Sequence, residues 1–192
     1  MFKGFVLSQG LTPGLFGLDS YAYLGENIND PESKLTGTEN NGLIFGEKGN
    51  DTLNGAGGTD VMIGGDGNDT YKVDDPNDKI VEKDGEGKDL VESTADNYTL
   101  PANVEDLTLM GTENINGTGN ELPNVITGNT GDNRLDGGGG NDTLDGGGGN
   151  DRLVGGPDND MLFGRGEYAY YLNSAKRRNL MRVDFETLQG AS

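Results

Sequence analysis

Cysteine and histidine are both absent from the 192 residues. Without cysteine there is no disulfide framework and no thiolate metal site. Without histidine there is no HExxH zinc centre, no Ser-His-Asp or Cys-His relay, and no histidine-ligated haem. Basic residues are few, 14 against 33 acidic side chains, for a formal charge of -19, and apolar residues make up only 31%. The charge argues against a nucleic-acid partner, because Lys and Arg drive phosphate binding by displacing counterions. Cations are the better match. So little core material with so much like charge lies near the disordered range unless something offsets backbone entropy and repulsion. Long apolar runs are missing too. Nothing approaches the roughly 20 residues of a membrane-spanning helix. In MFKGFVLSQGLTPGLFGLDS the apolar run is broken by Gln9, Pro13 and glycines, short of the roughly 7 to 15 continuous residues of a secretory signal. Neither a transmembrane segment nor an N-terminal leader is expected, and the length suits one domain by a prior of about 150 residues each.

What the chain has is glycine, 35 residues of it, set in a nine-residue rhythm. From Gly46 the sequence reads GEKGNDTLN, GAGGTDVMI, GGDGNDTYK and VDDPNDKIV. Asp51, Asp60, Asp69 and Asp78 share one phase, and Leu53, Met62, Tyr71 and Ile80 share another. From Gly128 it reads GNTGDNRLD, GGGGNDTLD, GGGGNDRLV and GGPDNDMLF, with Asn133, Asp142, Asp151 and Asp160 in the acidic phase and Leu135, Leu144, Leu153 and Leu162 in the apolar one. The frame weakens outward in GTENNGLIF (37–45) and GRGEYAYYL (164–172), as the capping units of a stacked array do.

The period has a mechanical meaning. A stretch such as Thr143-Leu144-Asp145 can form a short strand with one side chain inward. The six residues before it must then turn the chain, which glycine does without steric penalty. Two units, eighteen residues, complete one coil of a right-handed parallel roll with two thin sheets. The predicted fold is therefore all-β: a right-handed parallel β-roll, or solenoid, of Gly/Asp-rich nonapeptides in two blocks. Residues eighteen apart stack at about the 4.8 Å strand spacing. Stacked carboxylates repel unless a cation lies between them, and Ca²⁺ takes about 6 to 8 oxygens at roughly 2.3 to 2.6 Å, backbone carbonyls included.

Counting by eighteen pairs Asp51 with Asp69, Asp60 with Asp78, and Asp142 with Asp160; Asn133 with Asp151 has one charge fewer. Asn124 and Asn133 fall outside that spacing and make no pair with each other. Three full sites and one or two weaker ones are expected.

The units GGDGNDTYK, GGGGNDTLD and GGGGNDRLV resemble the RTX, or haemolysin-type, calcium-binding nonapeptide G-G-x-G-x-D-x-U-x. The resemblance covers about residues 35–166 and includes the spacer-like stretch 91–129. It implies a parallel β-roll, Ca²⁺ as the bound ion, calcium-dependent folding and type I secretion by a bacterium, hence an extracellular or cell-surface location. It also implies that Asp51, Asp60, Asp69, Asp78, Asp142, Asp151, Asp160 and Asn133 are metal ligands. The shells would be completed by carbonyls of turn residues such as Gly65, Gly67, Gly138, Gly140, Gly147 and Gly149. VDDPNDKIV has lost its turn glycines and carries Pro76, which sets the Asp60–Asp78 pair apart.

The resulting organisation is a lead segment (1–34), a first calcium-binding block (35–90), a metal-poor solenoid spacer (91–127), a second block (128–166) and a basic, aromatic tail (167–192). The step from Ile80 to Val91 is eleven residues, a longer turn in which Asp89 can still hold a ligand position. In the spacer the aspartate rhythm stops while Leu100, Val104, Leu107, Leu109, Ile115, Leu122 and Ile126 persist. This predicts coils held by hydrophobic stacking alone. In the tail, Met181, Phe185 and Leu188 have helical spacing, suited to a secretion signal or a cap.

Three functions fit. The first is a calcium-responsive folding module with no catalysis of its own, whose partners are calcium ions and type I secretion machinery. The second is the C-terminal piece of a larger secreted protease, lipase, epimerase or cytolysin. About 35 residues precede the repeats, too few for such a catalytic domain. The third is an adhesin or surface-layer module that meets cell-surface polysaccharide.

Overall fold

Residues 32–165 and the backbone of 168–172 are described by a computed structural model; most of the lead segment and the predicted tail helix lie outside them. Short strands follow one another through the first half: β1 (Lys34–Thr36), β2 (Leu43–Lys48), β3 (Thr52–Asn54), β4 (Val61–Asp66), β5 (Thr70–Val73), β6 (Lys79–Val81), β7 (Leu90–Ser93) and β8 (Tyr98–Thr99). The second half continues with β9 (Asp106–Leu109), β10 (Gly117–Thr118), β11 (Val125–Thr127), β12 (Arg134–Asp136), β13 (Thr143–Asp145), β14 (Asn150–Val154), β15 (Met161–Phe163) and β16 (Tyr168–Leu172). The expected strand Thr143-Leu144-Asp145 is β13.

The odd-numbered strands β1 to β15 form one eight-stranded sheet; on the opposite side β2, β4 and β6 form a second sheet, and β8 to β16 a third. All pairings are parallel. Each coil thus contributes one strand to each side of a two-faced β-solenoid. Among the described residues no helix is long and apolar enough to cross a membrane.

Each nonapeptide sends its apolar-phase side chain inward, because period-two pleating gives a three-residue strand one inward position. Leu53 lies in register with Tyr71, and Leu144 with Leu162. Leu35, Leu53, Tyr71, Val91, Leu107, Ile126, Leu144 and Leu162 are buried along one side; Ile44, Met62, Ile80, Tyr98, Leu135 and Leu153 are buried along the other.

The roll runs through the spacer without interruption. Tyr71 pairs with Val91 and Val91 with Leu107, steps of twenty and sixteen instead of eighteen. The eleven-residue turn from Ile80 to Val91 is offset by a seven-residue turn from Val91 to Tyr98, so Ile80 and Tyr98 stay eighteen apart. That insertion and deletion cancel within one coil, and one further residue between Leu107 and Gly117 gives steps of nineteen on both sides, which shifts the second block by one.

The core also thickens toward the middle of the chain. Two positions beyond the apolar phase the repeat blocks carry glycine (Gly46, Gly55, Gly64, Gly137, Gly146, Gly155), whereas the middle of the chain carries Val73, Leu100 and Leu109, all three buried. Val104, Ala95 and Ile115 add to the same apolar cluster.

Candidate metal centres

Asp51, Asp60, Asp69, Asp78, Asp142, Asp151 and Asp160 are all buried, none more than 5% exposed. They sit inside the roll, one at each corner where a turn enters a strand. Pairs eighteen residues apart do meet, through a backbone hydrogen bond. Asp69 Oδ1 accepts the Asp51 N–H at 2.7 Å, Asp78 Oδ1 the Asp60 N–H at 2.8 Å, and Asp160 Oδ1 the Asp142 N–H at 3.1 Å. Asp151 Oδ1 accepts the Asn133 N–H at 2.9 Å, and Asp142 Oδ1 the Asn124 N–H at 2.8 Å. Asn124 therefore has a partner that counting within the acidic residues missed. The stacked carboxylates do not simply face one another: each is anchored to the previous coil by one oxygen.

The second oxygen is the one with chemistry left. Oδ2 of Asp60, Asp69, Asp142 and Asp151 is buried without any hydrogen-bond donor. Each reaches over the glycine five residues earlier. A Cβ on Gly55, Gly64, Gly137 or Gly146 would collide with that Oδ2, which explains the glycine at these four positions. An ionised carboxylate only accepts, and a buried acceptor with no donor costs about 1–3 kcal/mol. Burial pushes the carboxyls of Asp60, Asp142 and Asp151 up to about 6 and that of Asp69 to about 7, with neighbouring carboxylates adding to the rise and the backbone N–H opposing it. A cation would relieve both penalties. Asp78 differs: its Oδ2 accepts the Asp75 N–H of its own turn at 3.4 Å, in the unit that carries Pro76.

The turn glycines lie where successive coils touch. Gly67 has φ 139° and Gly138 φ 89°, a region that L side chains rarely adopt. A Cβ on Gly67 would fall on the Gly49 carbonyl oxygen, and one on Gly138 on that of Asn120. Gly65, Gly140, Gly147 and Gly149 likewise have positive φ and abut a carbonyl of the preceding coil. Carbonyls and carboxylates are oxygen donors, the kind a hard cation such as Ca²⁺ takes.

The asparagine turns solve the same problem differently. Asn133 Oδ1 accepts the Asn129 N–H at 2.9 Å, and its Nδ2 donates to the Ile115 carbonyl at 2.7 Å. Asn124 Oδ1 accepts the Asn120 N–H at 2.8 Å, and its Nδ2 donates to the Glu105 carbonyl at 3.0 Å. Asn120 and Asn129 add further bonds to the carbonyls of Pro101, Val104, Met110 and Glu113. The spacer is thus held by an asparagine ladder as well as by hydrophobic stacking, a correction to the expectation of stacking alone. Both amide atoms of Asn133 are engaged in that ladder, unlike the carboxylates it shares a phase with.

One cluster was not read from the sequence. Asp69, Glu82 and Asp89 are all buried, and their ligand oxygens lie within 4.8 Å of one another. Asp89 Oδ1 accepts the Asp69 N–H at 2.8 Å, twenty residues away, so the enlarged turn still delivers an aspartate to the corner. Glu82 was missed because it belongs to no nonapeptide. Its signal is that it stands two positions past Ile80, where the neighbouring coil has Gly64. Burial, then Asp89 and Asp69, push its carboxyl up to about 8.

The family model described as RTX calcium-binding nonapeptide repeat (4 copies) matches residues 36–71, 118–153 and 127–162. No curated protein and no solved structure matches the chain significantly.

Proposed function

We propose, from the premise that this chain belongs to the RTX calcium-binding nonapeptide-repeat family, that it is a calcium-dependent folding module of a protein that works outside the bacterial cell. Such repeats bind Ca²⁺, and the β-solenoid they form is a structural domain. The observation that carries the reading is the set of buried Oδ2 atoms on Asp60, Asp69, Asp142 and Asp151, none with a hydrogen-bond donor. Inside the cell, where free calcium is low, these carboxylates oppose closure of the roll. Outside, an ion at each corner neutralises them and closes the coils. Binding to the folded form alone adds about 2.7 kcal/mol per site when calcium is about 100 times its Kd, so a few sites outweigh a marginal apolar core. Metal affinity and folding are then one quantity. The module has no catalytic role of its own, since carboxylates holding calcium are not free to serve as acid and base. Export by type I machinery fits a chain that stays expanded until it meets calcium.

Circular dichroism of the intact chain tests this. The β signal should fall with chelator, with the asparagine-rich coils retaining part of it, and be restored in full by millimolar calcium. Equal β content in the two conditions would overturn the reading.

A further inference from the structure

We infer that Glu82 and Asp89 join the repeat aspartate Asp69 in a three-carboxylate calcium site that is the tightest among the described residues, an inference that rests on the calcium reading above. Two of its three carboxylates, Glu82 and Asp89, lie outside the residues that match the nonapeptide family. They are delivered by the enlarged turn between β6 and β7, and Asp69 comes from the turn before β5.

Geometry supports an ion here. Oxygens bound to one Ca²⁺ at about 2.3 to 2.6 Å lie no more than about 4.6 to 5.2 Å apart. The three carboxylates meet that bound, their ligand oxygens falling within 4.8 Å of one another. Asp69 is 1%, Glu82 7% and Asp89 1% exposed. Asp69 Oδ2 and Glu82 Oε2 are both buried without a hydrogen-bond donor. They come from separate turns, and the unpartnered Asp69 Oδ2 faces Glu82 Oε1 across the space above Gly64.

The frame around them is set. The Tyr71 hydroxyl, itself buried, donates to Glu82 Oε1. Asp51 N–H and Asp69 N–H hold Oδ1 of Asp69 and of Asp89. The Glu82 carbonyl accepts Asn103 Nδ2 from the next coil at 2.9 Å. A Cβ on Gly64 would strike Tyr71 Oη, Asp69 Oδ2 and Glu82 Oε1 together, so the absence of a side chain at Gly64 leaves room for the convergence. Lys83 is the nearest cation in sequence, and it is exposed and paired with Glu86. A repeat corner offers one carboxylate with a free buried oxygen, whereas this corner gathers three carboxylates. Calcium affinity rises with the number of charged ligands, so this site fills first.

The experiment uses the intact chain. Calcium stoichiometry comes from native mass spectrometry, and stepwise affinity from Tb³⁺ titration with tyrosine-sensitised luminescence, for the parent, Glu82→Gln and Tyr71→Phe. Glu82→Gln should bind one ion fewer, and its first binding step should weaken at least about tenfold while the later steps persist. Tyr71→Phe should lose the sensitised signal of the first step with total calcium unchanged, which keeps the test decisive if Glu82→Gln does not fold. If the parent binds calcium but both variants match it in stoichiometry, first-step affinity and luminescence, this site is refuted and the repeat reading stands. If the parent binds no calcium, both are refuted.

Discussion

The turn that ends in Asp142 and the turn that ends in Asn124 follow the same path one coil apart, yet they settle their buried polar groups in opposite ways. Asn124 receives an N–H from its own turn and gives its amide to the previous coil. Asp142 receives the Asn124 N–H on one oxygen and leaves the other without a donor. Amide and carboxylate are nearly the same shape, so the difference lies in the hydrogens: the amide brings two donors and the carboxylate none. The asparagine turn is complete as built. The aspartate turn is complete only with a cation, and that converts a structural corner into a sensor of its surroundings.

The backbone differs in step with the side chain. Gly138 and Gly147, at the second position of their units, have φ of 89° and 78°, whereas Asn120 and Asn129 at that position do not have positive φ. Glycine there lets the turn stack against carbonyls; asparagine there points its N–H at the side chain four residues on.

The largest effect that would break this comparison is on Asp142→Ala. With calcium at about 100 times its Kd, the variant should lose one ion and about 2.7 kcal/mol of stability. Without calcium it should be close to the parent, because the substitution also removes a buried oxygen that had no partner. Chemical denaturation in both conditions reads the two values, and an equal loss in each would contradict the role given to the ion.

A smaller effect, about 1–2 kcal/mol, is expected for Asn124→Ala, and here the loss should be the same with and without calcium. That independence is what separates the two kinds of turn. A calcium-dependent loss at Asn124 would merge them.

Acidity should move the two states in opposite directions by a lesser amount. The folded-state carboxyls of Asp60, Asp142 and Asp151 titrate near 6 and that of Asp69 near 7, against an ordinary 3.8. Between about pH 4 and 7 the calcium-free folded form therefore binds protons that the unfolded chain does not. Its stability should rise as pH falls through that window and be lost as pH rises through the folded values. Calcium affinity should run the other way, weakening on acidification because protons compete for the same oxygens. Thermal melts in calcium-free buffer at pH 5 and pH 8, paired with calcium titrations at each, check both signs.

Much of this was legible in the sequence because the nonapeptide fixes phase. Leucine at the Leu144 phase and Asp or Asn at the Asp142 phase recur in the neighbouring units, so strand, corner and eighteen-residue register followed from counting. What escaped counting lay where the period breaks. The seven-residue turn that compensates the eleven-residue one has no motif, and only the stacking of Val91 between Tyr71 and Leu107 reveals it. The asparagine ladder was hidden because Asn120 and Asn129 look like ordinary turn residues until their carbonyl partners, sixteen or nineteen positions earlier, are known. Glu82 escaped because it occupies a glycine phase, and only the fold shows that this phase points inward.

Hydrogen exchange resolved along the intact chain, with calcium and with chelator, tests the central claim most directly. Amides that donate to corner carboxylates, such as those of Asp51, Asp60, Asn133 and Asp142, should lose protection on chelation. Those of Asn120 and Asn129, which donate to corner asparagines, should keep more of it. Protection that is unchanged by chelation, or lost equally along the whole roll, would contradict the division between ion-completed and self-completed turns.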